Sequence, residues 1–416
     1  MLDYRRFSKR TGIFYDRNCG LFVKILQIAP KIPWPLDDGS KLGIFAITDG
    51  LSKRGVKLHL AAPCLNIGNL DGFPSNVSIH PLPIRTENTI WSAAKNLFSP
   101  EPYNISKYFS NEMLERLSDL VKKEWFDAIH VDHLHLARYA IELKRHFGIP
   151  TVLREHNFES EIIHRYALLT KNPLLALYAG IQYRRVLRYE AWAVQGFDIV
   201  IPISREDDSK LRGISPRMRS RIIPAGVKVD SGTYDFQFRP KRILFFTNYS
   251  WAPNKDSFRF YHEEIFPEVR RMMPETLTIV AGKETERIPQ SNLDDGFSVV
   301  GFVPDLTDLR KLSSVAVVPL RIGSGVRIKM LELMALGFTV VATSLGAEGI
   351  DLADGEHAVL AETPHDIAAA LVRLLNSPRE CSRIGMNARN LIGEKYSWDA
   401  IGQEFYDLYA ELIGAA

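Results

Sequence analysis

Short apolar runs of strand length recur along this chain, separated by longer stretches whose apolar positions return every three or four residues. In the first half, VKILQIAP (23–30), VKLHLAAP (56–63), FDAIHVD (126–132), PTVLREH (150–156) and FDIVIPIS (197–204) read as strands. Strands alternating with helices in this way predict a parallel sheet covered on both faces. A helix is expected to run to about Arg54 and close at Gly55, and another to end at Gly148. Ser204 stands where a helix N-cap belongs, ahead of REDDSKL. After Pro224-Ala225-Gly226-Val227 the pattern lapses, and it restarts at RILFFTN (242–248). A helix over 254–273 follows, with Phe258, Phe260, Ile265 and Val269 as its apolar positions. TLTIVAGK (276–283), SVVGFV (298–303), SVAVVPL (314–320) and TVVATS (339–344) are the later strands, and the tail from Pro364 reads as helical.

These elements predict an α/β chain of two doubly wound, Rossmann-like domains facing each other across a cleft. The first spans 23–228, a linker 229–241, the second 242–397, and a last helix 398–416. Residues 1–22 are basic, polar and poorly periodic, and are expected to be a disordered arm. A length of 416 residues suits two such domains. Lys and Arg number 52 against 49 Asp and Glu, a balance that argues against a nucleic-acid-coating protein. Cys19, Cys64 and Cys381 stand far apart with no metal-like or redox-like spacing. No secretion signal and no apolar run long enough to span a bilayer is read, so a cytoplasmic location is expected.

The most informative stretch is VVPLRIGSGVRIKMLELMALGFTVVATSLGAEG (317–349). A buried strand ends, Gly323 and Gly325 let the backbone approach a ligand, and a helix begins with its free amides directed into the loop. Arg327 and Lys329 add two charges there, as a diphosphate requires. Glu332 lies near the second turn, where a carboxylate can accept bonds from two adjacent ribose hydroxyls. A solvated charge pair after a Gly-Ser-Gly turn is the plainer alternative, and spacing alone does not separate the two.

In this stretch the chain resembles the retaining glycosyltransferases of family 4, and within them a bacterial branch with the pattern PLR-x-GSG-x-R-x-K-x-LE. The resemblance implies the GT-B fold, with the C-terminal helix crossing back to the first domain at YSWD (396–399). In that family two glutamates mark the donor site. Glu332 matches the second, which contacts ribose, whereas the first, the sugar contact, falls at Ser324. The family often carries an Arg and a Lys after the first strand of the donor domain; here Asn248 replaces the Arg, and Lys255 stands near the Lys position. The GAEGI loop (346–350) resembles the turn that closes over the donor, through Gly346 and Glu348. Gly39 in LDDGSKLG (36–43) resembles the glycine facing the donor phosphates, and His156 the active-site histidine. His133 and His135 also stand at a strand end, where an ordinary polar loop role is the simpler reading.

The implied reaction is sugar transfer from a nucleotide-diphosphate sugar, with retention, in surface-polysaccharide or glycolipid assembly. Arg327, Lys329 and His156 are the expected catalytic groups. No D-x-D motif in a suitable strand-end context is found, so no metal or other cofactor is expected. The acceptor is expected to be a carbohydrate or a lipid-linked one. Segment 160–190 mixes Leu, Ile and Tyr with Arg184, Arg185 and Arg188, a pattern that suits either peripheral contact with anionic lipid or a long helix packed on its own domain. A sugar-nucleotide epimerase on the same fold, or a non-catalytic sugar-binding module, are the competing functions.

Overall fold

The computed structural model describes residues 23–36, 39–64, 68–82, 96–97, 99–170, 172–229, 237–289, 293–322 and 325–414. The first domain holds a sheet of β1 (Lys24–Ile28), β2 (Lys57–Pro63), β3 (Ser78–Leu82), β4 (Ala128–Asp132), β5 (Thr151–Glu155) and β6 (Ile199–Pro202). The second holds β7 (Arg242–Phe246), β8 (Leu277–Ala281), β9 (Phe297–Gly301), β10 (Val315–Val318), β11 (Thr339–Ala342) and β12 (Val359–Leu360). The strand orders are β3-β2-β1-β4-β5-β6 and β12-β11-β10-β7-β8-β9, with every pair parallel. Numbered within its own domain, each sheet therefore has the doubly wound order 3-2-1-4-5-6. Val, Ile and Leu on β1, β4, β5, β7 and β10 are almost wholly buried, because helices cover both faces.

The helices that matter here are α1 (Gly39–Lys53), α2 (Asn111–Lys123), α3 (Ala137–Phe147), α4 (Glu159–Leu169), α5 (Pro173–Gly196), α6 (Arg205–Ile214), α7 (Ala252–Phe260), α8 (Phe266–Met272), α9 (Ile328–Ala335), α10 (Pro364–Leu375), α11 (Pro378–Lys395) and α12 (Trp398–Gly414). Gly55 and Gly148 close α1 and α3 at φ 79° and 69°, and Ser204 Oγ accepts the Asp207 amide at 3.1 Å to cap α6. The helix expected over 254–273 is interrupted by a π-helical stretch, Tyr261–Ile265, between α7 and α8. Pro267 accounts for it: it has no amide to donate, and its ring would strike the carbonyl four residues back in a regular helix. Segment 160–190 is not one helix but the pair α4 and α5, broken at Thr170 and restarted by an Asn172 cap ahead of Pro173. The arm (1–22) and most of the expected linker (230–236) lie outside the described residues.

Helix α12 leaves the second domain and packs on the first, as the family resemblance implies. Its Ile401, Phe405, Leu408 and Tyr409 share one buried cluster with Ile25, Leu58, Ala128 and Val152 of the first sheet. Helices α1 and α12 touch at paired glycines: a β-carbon on Gly402 would lie 2.7 Å from Gly50 Cα. Backbone cannot yield as a side-chain tip can, so Gly402→Ala should destabilise the chain by about 1–3 kcal/mol through overpacking. Urea denaturation followed by circular dichroism checks this, and an unchanged midpoint would show that the helices are not held this close.

Candidate functional site

In both sheets the first and fourth strands are neighbours, so their connections leave in opposite directions and open a crevice at the strand carboxyl ends. In the second domain that crevice is a cleft of about 640 Å³. The connections after β7, β8, β9 and β10 line it, and Asn157 closes it from the first domain. Helix α9 starts at Ile328 with Arg327 as its N-cap residue and no side-chain cap, so its first amides have no capping partner from Arg327. Arg327 is buried, with Nη2 3.7 Å from Glu348 Oε2. Lys329 Nζ donates to Asn254 Oδ1 at 2.9 Å. Burial first, then the Arg327 charge, lowers the Lys329 ammonium to about 7. Glu332 lines the same cleft, and burial raises its carboxyl to about 7. Both shifts arise mainly because the cleft removes the charged forms from water.

The structure brings Arg327, Lys329, Glu332 and Glu348 together. Gly325, at φ 81°, passes so near the first domain that a β-carbon there would lie 3.2 Å from Asn157 Oδ1. Gly323 and Ser324 lie outside the described residues. Gly346 turns tightly after β11: a β-carbon would stand 2.4 Å from the Val318 carbonyl oxygen, so only glycine fits. Lys255 is placed elsewhere. It lines a separate depression with Asp256 and Arg259, its Nζ 5.6 Å from the Tyr249 ring. The helical turn that carries it presents Asn254 to the cleft instead, and Lys283, after β8, joins Arg327 and Lys329 there. Lys283 sits in the sequence as the last residue of an expected strand, TLTIVAGK, and that strand-end position is the signal that could have found it.

Across the cleft, β4 ends at Asp132, which is fully buried. Gln27 Nε2 donates to it at 2.8 Å, His130 Nε2 and His156 Nε2 lie at 3.4 and 3.5 Å, and Arg154 Nη1 at 4.0 Å. Burial alone would raise this carboxyl, but His130 and His156 outweigh it and hold it well below the usual carboxylate range. Burial, then Arg154, push the His156 imidazole down to about 4 against the pull of Asp132. His156 is therefore neutral near pH 7, its ring stacked on His133 with centroids 3.8 Å apart and planes 8° apart. Gly39 is the first residue of α1, while Gly43, one turn on, approaches His156. Arg154 Nη1 donates to the Gly43 carbonyl at 2.8 Å. The crossing helix supports this arrangement from beneath: Tyr409 Oη lies 2.6 Å from His130 Nδ1, and the Phe405 ring 5.6 Å from the Arg154 guanidinium.

Comparison with known proteins matches the Glycosyltransferase Family 4 model over residues 38–231 and the Glycosyl transferases group 1 model over residues 240–377. An MMP alpha-(1->4)-mannosyltransferase of Mycolicibacterium hassiacum is 35% identical over 113 residues, 26% of this chain and 27% of that protein. A 44.6 kDa protein of the cps region of Klebsiella pneumoniae is 21% identical over 403 residues, 90% of this chain and 96% of that protein. Among solved structures, sucrose-phosphate synthase from Thermosynechococcus elongatus aligns with a TM-score of 0.69 at 18% identity, covering 95% of this chain and all of that one. Anabaena HepE, solved with UDP-glucose, aligns with a TM-score of 0.62 at 12% identity over 94% of this chain and all of that one.

Burial also lowers His135 to about 4, close to His156. Both have folded values below the unfolded value of 6.5, so the unfolded chain takes up protons first as pH falls. Their contribution to stability is complete above about pH 6.5 and is lost as pH falls toward 4. Glu159 and Glu332, raised to about 7 by burial, act in the opposite direction over this range, so the histidine contribution is read as a difference: between pH 7 and pH 5 the urea midpoint of His156→Asn should shift upward relative to that of the wild type. An identical pH dependence in the variant would show that His156 is not held neutral.

Proposed function

We propose, since this chain is a glycosyltransferase of family 4 with the GT-B fold, that it takes a sugar from a nucleoside diphosphate held by the second domain. The sugar passes to an acceptor on the first domain, with retention at the anomeric carbon. The observation that carries this reading is the meeting of Arg327, Lys329, Lys283 and Glu332 in one cleft at the start of α9. The leaving diphosphate gains charge as the glycosidic bond breaks. Cations and helix amides already in place stabilise that charge more in the transition state than in the ground state. A diphosphate beside Lys329 would also restore the proton that burial makes labile. Glu332 then accepts from the ribose hydroxyls, and the apolar wall of Phe302, Val303 and Leu306 receives the base.

Neutral His156 serves as a hydrogen-bonding group toward the donor sugar, oriented by Asp132, rather than as a permanent cation. No metal is needed on the diphosphate in this reading, because Arg327, Lys329 and Lys283 already supply positive charge. Two similarities support a role in surface-polysaccharide or glycolipid assembly: the Klebsiella protein is named for the cps region, and the Mycolicibacterium protein is a mannosyltransferase. The UDP-glucose bound by HepE supports a nucleotide-sugar donor.

The α4–α5 hairpin suggests how a lipid-linked acceptor would be met. Around its turn Leu168, Leu174 and Leu177 are 71%, 76% and 65% exposed. Arg184 and Arg188 are exposed further along α5, while Arg185 is engaged with the Asn96 and Leu97 carbonyls. No helix among the described residues is long and apolar enough to cross a membrane. In this reading the leucines enter the interface of an anionic bilayer and the two arginines meet its headgroups.

Donor binding, turnover and vesicle binding test these readings. Nucleotide sugars that raise the melting temperature identify the donor by mass action. With that donor, Arg327→Ala and Lys329→Ala should each lower turnover by roughly tenfold to a thousandfold. The double variant should lose less than the product of the two, because both cations serve one group, and melting should shift little. Donor affinity should be equal in excess EDTA. Wild-type turnover in both single variants would remove the pair from the site. For the membrane contact, the protein should co-sediment with vesicles containing phosphatidylglycerol and not with phosphatidylcholine alone. Leu174→Glu combined with Leu177→Glu should abolish that binding, and undiminished binding would rule out the hairpin.

A further inference from the structure

Beside the cleft, the chain leaving β4 turns at His133, a non-glycine residue at φ 75°. With ψ 140° this is a sparsely populated backbone conformation, which a non-glycine residue keeps only when its surroundings hold it there. That turn sends His133 and His135 toward Glu159, in the first turn of α4. Each residue presents one ligand atom, and the three atoms lie within 4.8 Å of one another. All three side chains are half-buried.

The rings are held by their neighbours. His133 Nε2 lies 3.2 Å from Ser40 Oγ, and its face stacks on His156. The His135 ring packs on Tyr108 with centroids 5.2 Å apart. Orientation of imidazoles by outer partners is what a metal site requires. An imidazole binds a metal through the lone pair of its neutral form. Glu159 would supply the anionic ligand, and a bound cation favours its ionised form. Lys107 beside His135 and Arg154 behind His133 oppose a cation, while Asp132 and Glu159 favour one. Two imidazoles and one carboxylate form the set that binds zinc with one position open to a water or a substrate oxygen.

We propose that His133, His135 and Glu159 form a binding site for a divalent transition-metal ion, zinc by preference, with an open coordination position beside His156. The ligands come from the first domain, so the site is separate from the cations assigned to the diphosphate. On the glycosyl-transfer reading, and only on it, the open position would take an oxygen of the acceptor.

Metal binding itself is the test, and it does not depend on turnover. The full chain, stripped by chelator and dialysed, is titrated with zinc by calorimetry and with cobalt(II) by visible absorption. One ion per chain is expected, with the intense cobalt bands of a four- or five-coordinate site. His135→Ala and Glu159→Gln should each weaken zinc binding by at least about 100-fold, since even outer partners of metal ligands are worth about 10–100-fold. Should the alanine variant fail to fold, as judged by circular dichroism, the near-isosteric Glu159→Gln decides alone. Absence of stoichiometric binding, or unchanged affinity in a folded Glu159→Gln protein, would overturn the proposal. Loss of the metal site would leave the donor-site results standing, so the two readings fail separately.

Discussion

The Asp132 carboxylate carries no solvent exposure, and the first domain is arranged around keeping it charged. A carboxylate removed from water is costly unless opposite charges and donors surround it. Gln27 supplies a direct bond, His130 and His156 stand close by, and fully buried Arg154 balances the charge. Each of these groups is held in turn: Gln27 by Thr48, Arg154 by the Gly43 carbonyl, and His130 by Tyr409. His156, next to the cleft-lining Asn157, is thus the outermost member of a network that begins in the protein interior. Burial and the Arg154 charge keep His156 neutral against the pull of that same carboxylate, and Arg154 ties the network to α1 through the Gly43 carbonyl.

The last helix, which returns to the first domain, packs directly against that network. Phe405 and Tyr409 lie beneath Arg154 and His130, so α12 closes the apolar layer under the candidate site. Glycine faces glycine where α12 crosses α1, letting the two backbones approach closely enough to seal the layer. Tyr396 and Trp398, at the start of the crossing, bond to Asp351 of the second domain and to Gly226 of the first. The two domains are therefore joined through the start of the crossing helix as well as facing each other across the cleft.

The facing walls differ in character although the sheets share one topology. The second domain offers a helix start, the cations Arg327, Lys329 and Lys283, and the carboxylates Glu332 and Glu348, a set that suits phosphate and ribose. The first offers stacked, neutral histidines and a carboxyl group raised toward neutrality, a set of hydrogen-bonding and metal-ligating groups with little net charge. This division follows from what each strand end carries. Basic residues follow β8 and β10, whereas histidines and Glu159 follow β4 and β5.

Much of this was determined by the sequence alone, because the signals are local. Apolar runs bounded by Gly and Pro locate the strands, Ser204 and Gly148 mark helix ends, and the Gly-rich loop before Arg327 places cations at a helix start. Strand β3 is harder to read, since Pro81 argues against a strand and is tolerated only because β3 is an edge. The division of 160–190 into two helices turns on one Asn-Pro pair. Tertiary structure alone decided what depends on residues distant in the chain. It sends Asn254 rather than Lys255 into the cleft, adds Lys283 from another strand end, and sets Asp132 among Gln27, His130 and Arg154. Periodicity records which face of an element is buried. Which charge meets which is settled only when a parallel sheet brings the ends of non-consecutive strands side by side.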